Sequence, residues 1–427
     1  MAIQVSQTLK QLEKEVKKLG IEDKIVSTGK NGRTMKEDLI IPIREHNLIK
    51  RYGSLGNIPE HMNMMLSMKS PMLAVRIDAL KEVEQKEIWE NPDWGFEEKL
   101  NGVRCIVIYD GNQIHLYSRH NSDKDLLPIE FTDKVMFPDS CDLGKLNKSF
   151  MIDCELTCDN RNLNTVIGKY GVQTETVLQA VTAIIGSDVS RARIIQKREN
   201  VRLVFNSFDC MFYDGKWLDK EPLKVRKEAL KDIFNTLKAC GFNIRENLYT
   251  NVNKKEMYNN LVKLGKEGCV AKNINGIYIP DSTRGFKGWV KIKRSVSKAE
   301  SNDDDLGDTF DGWISGFVPG NKGSAFENLV GAVCVSIYKK KSDGTREVHE
   351  IARISGMDLR LRQDMTKIVG GQVTLNPKYY DRVVEIDGQG VSARELRLNH
   401  AVLIGFRYDK NKDSCEVDED FLVRNIV

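Results

Sequence analysis

Hydrophobic residues recur every three or four positions near the start of the chain, a spacing that predicts amphipathic helices. Leu9, Leu12, Val16 and Leu19 follow it over residues 6–19, with lysines between them, and Gly20 ends the predicted helix. A basic, turn-rich loop at 27–33 precedes a second helical stretch at about 35–52. The pattern predicts a small basic helical module over residues 1–69.

After Trp94 the periodicity changes to the alternation of β-strands. Residues 105–109 and 113–117 alternate around Asp110-Gly111-Asn112, which predicts a hairpin. Residues 201–208 read as a buried strand, 222–241 and 254–265 as helices, and 290–293 as a short final strand. With Ser70-Pro71 marking the domain entry, we predict an α+β domain over residues 70–298.

The last third of the chain has a different pattern. Residues 300–311 contain six acidic and no basic side chains, so we assign 299–311 to an acidic linker. Residues 312–427 show short strand signals, such as 330–337 and 383–386, separated by glycine-containing turns. This pattern fits a five-stranded β-barrel of the OB-fold type.

The amino-acid composition limits the class of protein and the cellular compartment in which it can occur. The 427 residues suit two or three domains, and 41% hydrophobic and 30% charged residues are ordinary for globular proteins. No apolar run approaches the roughly 20 residues of a membrane span, and the chain begins with a polar helical pattern instead of a signal peptide. The nine cysteines, an odd number with Cys154 and Cys158 as the only close pair, predict reduced thiols. We therefore expect an intracellular protein that is neither secreted nor membrane-bound.

Charge is unevenly distributed along the chain. The formal net charge is +4, and residues 1–70 hold 12 basic and 8 acidic side chains, which accounts for the whole excess. A basic N-terminal module is consistent with attraction to a phosphate backbone, but an ordinary solvated surface explains the same numbers.

Six short segments carry the candidate chemistry in a fixed order. They are 97–104, 151–156, 206–210, 267–272, 289–293 and 407–410. Lys99 lies in Glu97-Glu98-Lys99-Leu100-Asn101-Gly102, and a neutral lysine amine can attack a phosphorus atom. Lys291 and Lys293 alternate by two, so a strand would place both on one face, where their charges would favour the neutral amine. A Lys-x-x-Gly sequence alone is a weak signal, whereas the ordered set is specific.

Over residues 70–427 this set resembles the covalent nucleotidyltransferases, and most closely the ATP-dependent DNA ligases. The resemblance implies that Lys99 becomes covalently linked to AMP. It also implies a nucleotidyltransferase (adenylation) domain followed by an OB domain, and it suggests that the N-terminal module is either SAP-like and DNA-binding or a plain helical cap. The absence of a four-cysteine zinc site favours ATP over NAD.

The same resemblance assigns roles to individual residues. Glu97 would accept the adenine amino group, Phe208 would stack on adenine, and Arg104 and Glu155 would hold the ribose. Glu267, with Glu155, would bind the metal. The phosphate contacts would come from Lys272, Lys291 and Lys293, and Arg119 would reach either phosphate or the nicked strand. Arg407, Asp409 and Lys410 would orient pyrophosphate, with Arg397 as an earlier basic residue of that motif.

Two departures from the family pattern leave alternatives open. Asn101 stands where DNA ligases usually carry aspartate, as in some RNA ligases, and Asn399-His400-Ala401-Val402 replaces an expected Pro-Arg-Phe. We expect ATP and Mg²⁺, with Mn²⁺ able to substitute, nicked duplex DNA as substrate, and a monomer. The alternatives are an ATP-dependent RNA ligase and a catalytically inactive, DNA-binding ligase fold. An mRNA capping enzyme is disfavoured because Glu97 selects adenine.

Overall fold

The computed structural model describes residues 9–29, 32–68, 70–122, 124–160, 177–198, 200–264, 266–280, 288–293, 310–341, 343–388, 390–392 and 394–424. They form two compact units: the first takes the described residues up to 292, and the second those from 293 onwards. Most of the predicted acidic linker, residues 299–309, lies outside the described residues. No helix in the described ranges is long and apolar enough to cross a membrane.

Eight helices of the first unit follow amphipathic stretches of sequence. They are α1 (Leu9–Leu19), α2 (Lys36–Tyr52), α3 (Glu60–Met68), α4 (Glu82–Glu90), α5 (Val177–Gly186), α6 (Val189–Arg198), α7 (Leu223–Ala239) and α8 (Lys254–Lys263). Gly20 ends α1 with a φ of +64°, the left-handed conformation that glycine adopts without strain.

The first helices pack onto the rest of this unit. Leu126 completes the small core of α1 and α2, and Arg44 donates from Nε to the Leu126 carbonyl at 2.7 Å. Two turns further along α2, Arg51 pairs with Asp125 at 2.8 Å. The predicted helices of residues 1–69 therefore belong to the same compact unit as the strands that follow.

The strands of the first unit form two sheets. They are β1 (Val75–Arg76), β2 (Trp94–Glu98), β3 (Val103–Tyr109), β4 (Ile114–Asn121), β5 (Pro128–Glu130), β6 (Phe150–Asn160), β7 (Val201–Tyr213), β8 (Lys216–Trp217), β9 (Ile244–Glu246), β10 (Gly268–Asn273) and β11 (Trp289–Lys293). One sheet has the order β5-β4-β3-β6-β7-β8, with β9 also on β7, and the other the order β1-β11-β10-β2. The predicted hairpin is confirmed as β3–β4, where Asp110 Oδ1 accepts from the backbone N–H groups of Asn112 and Gln113.

Both sheets contribute to one hydrophobic core, which also takes the methionine-rich face of α3. Met65 from α3 packs in the same cluster as Ile106 of β3, Phe208 of β7 and Trp289 of β11. Methionine fills irregular gaps between unlike surfaces. This core fixes Phe208 of the seven-stranded sheet beside Trp289 of the four-stranded sheet.

The second unit is built from short strands around its own core. Its elements are β12 (Phe310–Pro319), β13 (Val330–Lys340), β14 (Arg346–Ile354), α9 (Leu359–Met365), β15 (Thr366–Val369), β16 (Gln372–Leu375), β17 (Val383–Asp387), β18 (Val402–Phe406), β19 (Glu416–Asp418) and α10 (Glu419–Arg424). The main sheet has the order β14-β13-β12-β17-β18, with β19 added beside β13. All nine cysteines of the chain are free thiols, eight of them buried and Cys141 partly exposed.

Candidate active site

Lys99 directly follows β2, and its position is set by the neighbouring strand β10. The Lys99 backbone N–H donates to the Gly268 carbonyl at 2.9 Å. The preceding residue, Glu267, then lies opposite, and its carboxylate Oε2 is 2.7 Å from Lys99 Nζ. The structure thus brings together two residues separated by 168 positions that were both predicted for the site. Their side chains are 22% and 17% exposed, so a ligand can reach them.

Close packing against β6 leaves no room for a side chain at position 102, so this position requires glycine. A Cβ atom there would lie 2.3 Å from the Leu156 carbonyl oxygen, which no side chain could tolerate. The close approach lets the Gly102 N–H donate to Glu155 Oε1 at 3.2 Å. Glu155 therefore lies beside the Lys99 loop, and burial raises its pKa to about 7 although Arg104 and Lys99 oppose this.

The raised pKa of Glu155 predicts a specific pH dependence of stability. A carboxyl group with a higher pKa in the folded state stabilises the fold fully below its unfolded pKa, and that contribution is lost as pH rises through about 7. Relative to a Glu155→Gln variant, the wild type should lose about 2 kcal/mol of unfolding free energy between pH 5 and pH 8. Urea unfolding at both pH values measures the difference.

Asp159 provides the matched control for this experiment. It is a carboxylate on the same strand, but its side chain is 44% exposed. The Asp159→Asn variant should keep the pH dependence of the wild type. A Glu155→Gln variant that also keeps it would show that Glu155 does not titrate in this range.

Glu97 lies in a buried group of charges. Its side chain is 1% exposed, and the two carboxylate oxygens accept from different lysines: Oε1 from Lys227 Nζ at 2.5 Å and Oε2 from Lys272 Nζ at 2.7 Å. The Asn247 amide is 3.4 Å from Oε2 and donates to the Glu98 carbonyl at 3.0 Å. The predicted adenine-binding carboxylate of Glu97 thus has two lysines and an asparagine amide as partners.

Lys272 connects this charged group to the aromatic residues. Its Nζ lies 4.4 Å from the centre of the Phe208 ring and 4.3 Å from that of Trp289. Burial lowers the pKa of Lys272 to about 8, although the charge of Glu97 opposes this. Lys272, expected to join the phosphate-binding lysines, here contacts Glu97 and the aromatic rings instead. The Phe208 side chain is 9% exposed and belongs to the core between the sheets.

Arg104 points away from solvent. Its Nε and Nη2 donate to the two carboxylate oxygens of Asp153 at 2.8 and 2.5 Å, and Nη1 donates to the Met72 carbonyl at 2.6 Å. Tyr278 Oη adds a hydrogen bond to Asp153 at 2.8 Å. Burial disfavours the charged guanidinium, but Asp153 outweighs it and raises the pKa of Arg104. In this structure Arg104 links β3 to β6, and its expected contact with a ribose stays a prediction.

The remaining candidates, apart from the C-terminal motif, lie on the strands β4 and β11. Lys291 and Lys293 are both half-buried and share one face of β11, and Arg76 is the register neighbour of Lys291 on β1. The shared face agrees with the predicted alternation. Arg119 is exposed on β4, and its guanidinium Nε donates to His120 Nε2 at 3.3 Å.

The Arg407–Lys410 motif forms a cluster inside the second unit. Arg407 donates from Nε and Nη2 to the carboxylate of Asp409 at 3.0 and 2.8 Å. Asp311, the register neighbour of Glu385, accepts from Arg407 Nη1 at 3.2 Å and pairs with Lys410. Side-chain hydrogen bonds from Arg407 lower the pKa of Asp409 to about 2. Arg397, in contrast, pairs with Glu350 at 2.9 Å.

Sequence reasoning missed two basic residues on α7 that support the site. Arg226 is completely buried and binds Asp209, next to Phe208, through Nε at 2.7 Å and Nη2 at 3.0 Å. Lys227 follows it and binds Glu97. Arg226 lies in the apolar stripe with Leu223 and Leu230, at helical spacing. A charged residue on the buried face of a helix was a signal that could have predicted a buried acidic partner.

At the ends of two paired strands the structure thus places a lysine beside a carboxylate, and the same sheet carries a buried acid and a lysine that contacts an aromatic ring. A family model described as "ATP dependent DNA ligase domain" matches residues 71–293, more than half of the chain. The chain belongs to this family. Membership implies the use of ATP and a divalent metal ion.

Curated relatives include archaeal and viral proteins. The chain is 26% identical over 330 residues to DNA ligase 2 of Methanosarcina mazei, covering 76% of this chain and 49% of that protein. It is 22% identical over 320 residues to the DNA ligase of Monkeypox virus, covering 72% of this chain and 49% of that protein. The chain spans about half the length of these curated relatives.

One solved structure resembles most of the chain. The structure described as Pmar-Lig_PreS3 is 13% identical, with a TM-score of 0.50, and the match covers 95% of this chain and 86% of that one. At this identity the likeness concerns the fold. It agrees with the mixed α/β architecture predicted from the sequence.

Proposed function

We propose that this protein is an ATP-dependent DNA ligase that seals nicks in duplex DNA through a Lys99–AMP intermediate. The contact of Lys99 Nζ with Glu267 Oε2 at 2.7 Å, beside the buried carboxylate of Glu97, carries this proposal. A nucleophile, a metal-ligand type of side chain and an adenine-selecting carboxylate thus lie on or next to two paired strands, β2 and β10. The family match over residues 71–293 supports the same chemistry.

The first step forms a phosphoramidate. The Lys99 amine attacks the α-phosphorus of ATP, the bond to pyrophosphate breaks, and the amine loses its proton, for which Glu267 Oε2 is the adjacent acceptor. Lys291 and Lys293 on one face of β11 are proposed to bind the negatively charged phosphates. The lysine must be released from its ion pair with Glu267 to react, so substrate binding and activation of Lys99 are coupled.

The second and third steps transfer the AMP and join the strands. A 5′-phosphate oxygen at the nick attacks the phosphorus of Lys99–AMP, and the breaking P–N bond returns the amine to Lys99. The 3′-hydroxyl then attacks the 5′-phosphate, forms the phosphodiester and expels AMP. Each step is an in-line displacement that depends on positioning and charge neutralisation.

Glu267 and Glu155 provide the donor set for a divalent metal ion. Both carry carboxylate oxygens beside Lys99, and such hard ligands suit Mg²⁺, with Mn²⁺ as a substitute. A bound ion would neutralise charge on the phosphates and the pyrophosphate leaving group.

The second unit is proposed to be an OB-type domain. Its predominantly antiparallel sheet packs around a main core that includes Ile314, Val335 and Ile386. We propose that Arg407, Asp409 and Lys410 act there on the leaving pyrophosphate and that the domain holds DNA through its phosphate backbone. A monomeric state and an intracellular location also stay proposals.

One observation keeps an RNA ligase as the second candidate. Asn101 lies in the loop between Lys99 and Gly102, where DNA ligases usually have aspartate. The amide keeps the shape and an acceptor but lacks the charge. The choice between DNA and RNA substrates therefore needs a direct test.

The test uses α-labelled ATP with Mg²⁺, followed by a singly nicked DNA duplex or, in parallel, a nicked RNA duplex. We expect an acid-labile protein–AMP adduct that is discharged on DNA and seals it. Sealing of RNA alone would assign the protein to the RNA ligases. Absence of any adduct, with intact DNA binding, would identify a catalytically inactive ligase fold.

Lys227 should be a positioning residue for Glu97. Replacing it by methionine removes one of two charged hydrogen bonds to a 1% exposed carboxylate, while Lys272 still keeps its own. A hydrogen bond to a charged group contributes about 1.5–3 kcal/mol, so adenylylation at low ATP concentration should fall about 10- to 100-fold.

The control is Lys224→Met, on the exposed side of the same helix. The Lys224→Met variant should form protein–AMP to the same extent as the wild type. A Lys227→Arg variant, which keeps a long side chain with donors, should label better than Lys227→Met if the hydrogen bond matters. Equal labelling of Lys227→Met and the wild type would show that Lys227 does not position Glu97 for adenylylation.

A further inference from the structure

A second cluster of ionisable side chains lies at the far end of β3 from Lys99. Lys99 precedes β3, whereas Asp110 follows it, and a seven-residue strand spans about 20 Å. His61 of α3 stacks on His115 of β4, with ring centres 3.4 Å apart and planes 6° from parallel. The two rings are 9% and 6% exposed.

Hydrogen bonds determine which imidazole nitrogens carry protons. His115 Nδ1 is 2.9 Å from Glu130 Oε1, and because a carboxylate only accepts, Nδ1 is the protonated atom. Tyr117 donates to Glu130 Oε2 at 3.3 Å, so its oxygen accepts from His61 Nδ1 at 2.6 Å. In neutral imidazoles with this arrangement, the Nε2 atoms of both histidines keep their lone pairs.

Asp110 completes the cluster with a carboxylate oxygen close to His115. Its Oδ1 accepts from the backbone of Asn112 and Gln113, while Oδ2 lies 3.2 Å from His115 Nε2. A carboxylate oxygen and a bare ring nitrogen at this distance repel each other, so the two atoms are bridged either by a hydrogen on His115 Nε2 or by a metal ion bound to both. Each of the residues His61, Asp110 and His115 offers one ligand atom, and these three atoms lie within 4.8 Å of one another.

We propose that His61, His115 and Asp110 form a binding site for a divalent transition metal of the Zn²⁺ type. Two imidazole nitrogens and a carboxylate are its typical ligands, and Glu130 is the outer carboxylate that orients a ligating histidine. An ion with bonds of about 2.0–2.2 Å draws the ligands together, and the stacked rings must turn so that each lone pair faces it.

The site would join three parts of the first unit. His61 comes from α3, Asp110 and His115 from the β3–β4 hairpin, and Glu130 from β5. A bound ion would therefore hold the methionine-rich helix against the sheet. Its role is structural and goes beyond the ligase activity proposed for Lys99, because none of these side chains belongs to the Lys99 site.

Cobalt provides the optical probe for the test. The full chain is treated with a chelator, transferred to buffer with excess Mg²⁺ to occupy sites with oxygen ligands only, and titrated with Co²⁺. We expect visible absorption bands typical of low-coordinate Co²⁺. The absorption should reach its maximum at one equivalent of Co²⁺ and disappear when Zn²⁺ displaces the ion. Zn²⁺ should also raise the Tm.

Matched variants distinguish this site from others. Asp110→Asn keeps an acceptor for the turn but removes the charged ligand, so the absorption and the Tm increase should be lost. Glu130→Gln should weaken Co²⁺ binding about 10- to 100-fold. His46→Asn, at a partly exposed position on α2, should behave like the wild type.

Two outcomes would overturn the proposal. One is the absence of both Co²⁺ bands and a Zn²⁺-dependent Tm increase in the wild type, which leaves a doubly protonated His115 as the cation between Asp110 and Glu130. The other is unchanged Co²⁺ binding in Asp110→Asn, which would place the ion elsewhere.

Discussion

Replacement of Lys99 by alanine should reduce the formation of protein–AMP to background, a loss of at least about 10³-fold. In the proposed mechanism this amine forms the P–N bond, and the nearest lysine on either side of Glu267 in the sequence has another partner. Lys272 is buried and bound to Glu97, whereas Lys266 pairs with Glu98 at 3.1 Å on the exposed side of the loop. Labelling with α-labelled ATP, followed by denaturing electrophoresis, measures the effect.

The fold should tolerate this change. Lys99 is 22% exposed and loses only its ion pair with the 17% exposed Glu267, so stability should change by about 1 kcal/mol or less. Lys266→Ala is the matched control, since it removes a lysine next to Glu267, in the loop before β10, and should label normally. A Lys99→Ala protein that still becomes labelled, with the label mapping to another lysine, would refute the assignment of the nucleophile.

The second large effect concerns stability and comes from Arg226. Replacing it by methionine keeps the volume of the side chain but leaves Asp209, 0% exposed, without its cation. Burial alone would raise the pKa of Asp209, and the charge and hydrogen bonds of Arg226 keep it below its ordinary value. Removing one partner of such a pair should cost about 3–5 kcal/mol of unfolding free energy. Urea unfolding followed by tryptophan fluorescence tests this.

A double variant separates the lost charge pair from lost packing. In Asp209→Asn/Arg226→Met the remaining partner is neutral, so the protein should recover part of the stability lost in Arg226→Met. Arg245→Met is the control, because Arg245 pairs with Asp159 on the surface, where both side chains are about half exposed. If Arg226→Met destabilises the protein no more than Arg245→Met, the buried pair does not have the importance assigned to it.

Local signals predicted much of the fold. The hairpin at Asp110-Gly111-Asn112, the strand β7 and the helices α7 and α8 depend on turn residues and periodicity within short windows, and the structure has all of them. The helix α3 was not predicted, although its buried residues His61, Met64, Met65 and Met68 lie at helical spacing. Packing of α1 and α2 on Leu126 joins residues more than 80 positions apart, which no local pattern encodes.

The same limit applies to the candidate site, where local spacing could be predicted but contacts between distant residues could not. The alternation of Lys291 and Lys293 on β11 could be predicted because a strand fixes the direction of successive side chains, and Glu97 lies on β2 with Lys99 directly after it. The partners could not be deduced in this way. Asp153 binding Arg104, and Lys227 binding Glu97, depend on which strands and helices become neighbours in the folded sheet.

The distribution of the cysteines gives the folded protein a single accessible position for chemical labelling. Eight of the nine thiols are buried, and thiol reagents act on exposed thiolates, so Cys141 is the position they reach first in the native state. Burial raises the pKa of Cys141, with smaller contributions from Cys240 and Asp142, and mildly alkaline buffer would speed its reaction. Cys141 lies on a loop between β5 and β6, away from Lys99 in the sequence, so a fluorophore attached there would report on the first unit without any engineered cysteine.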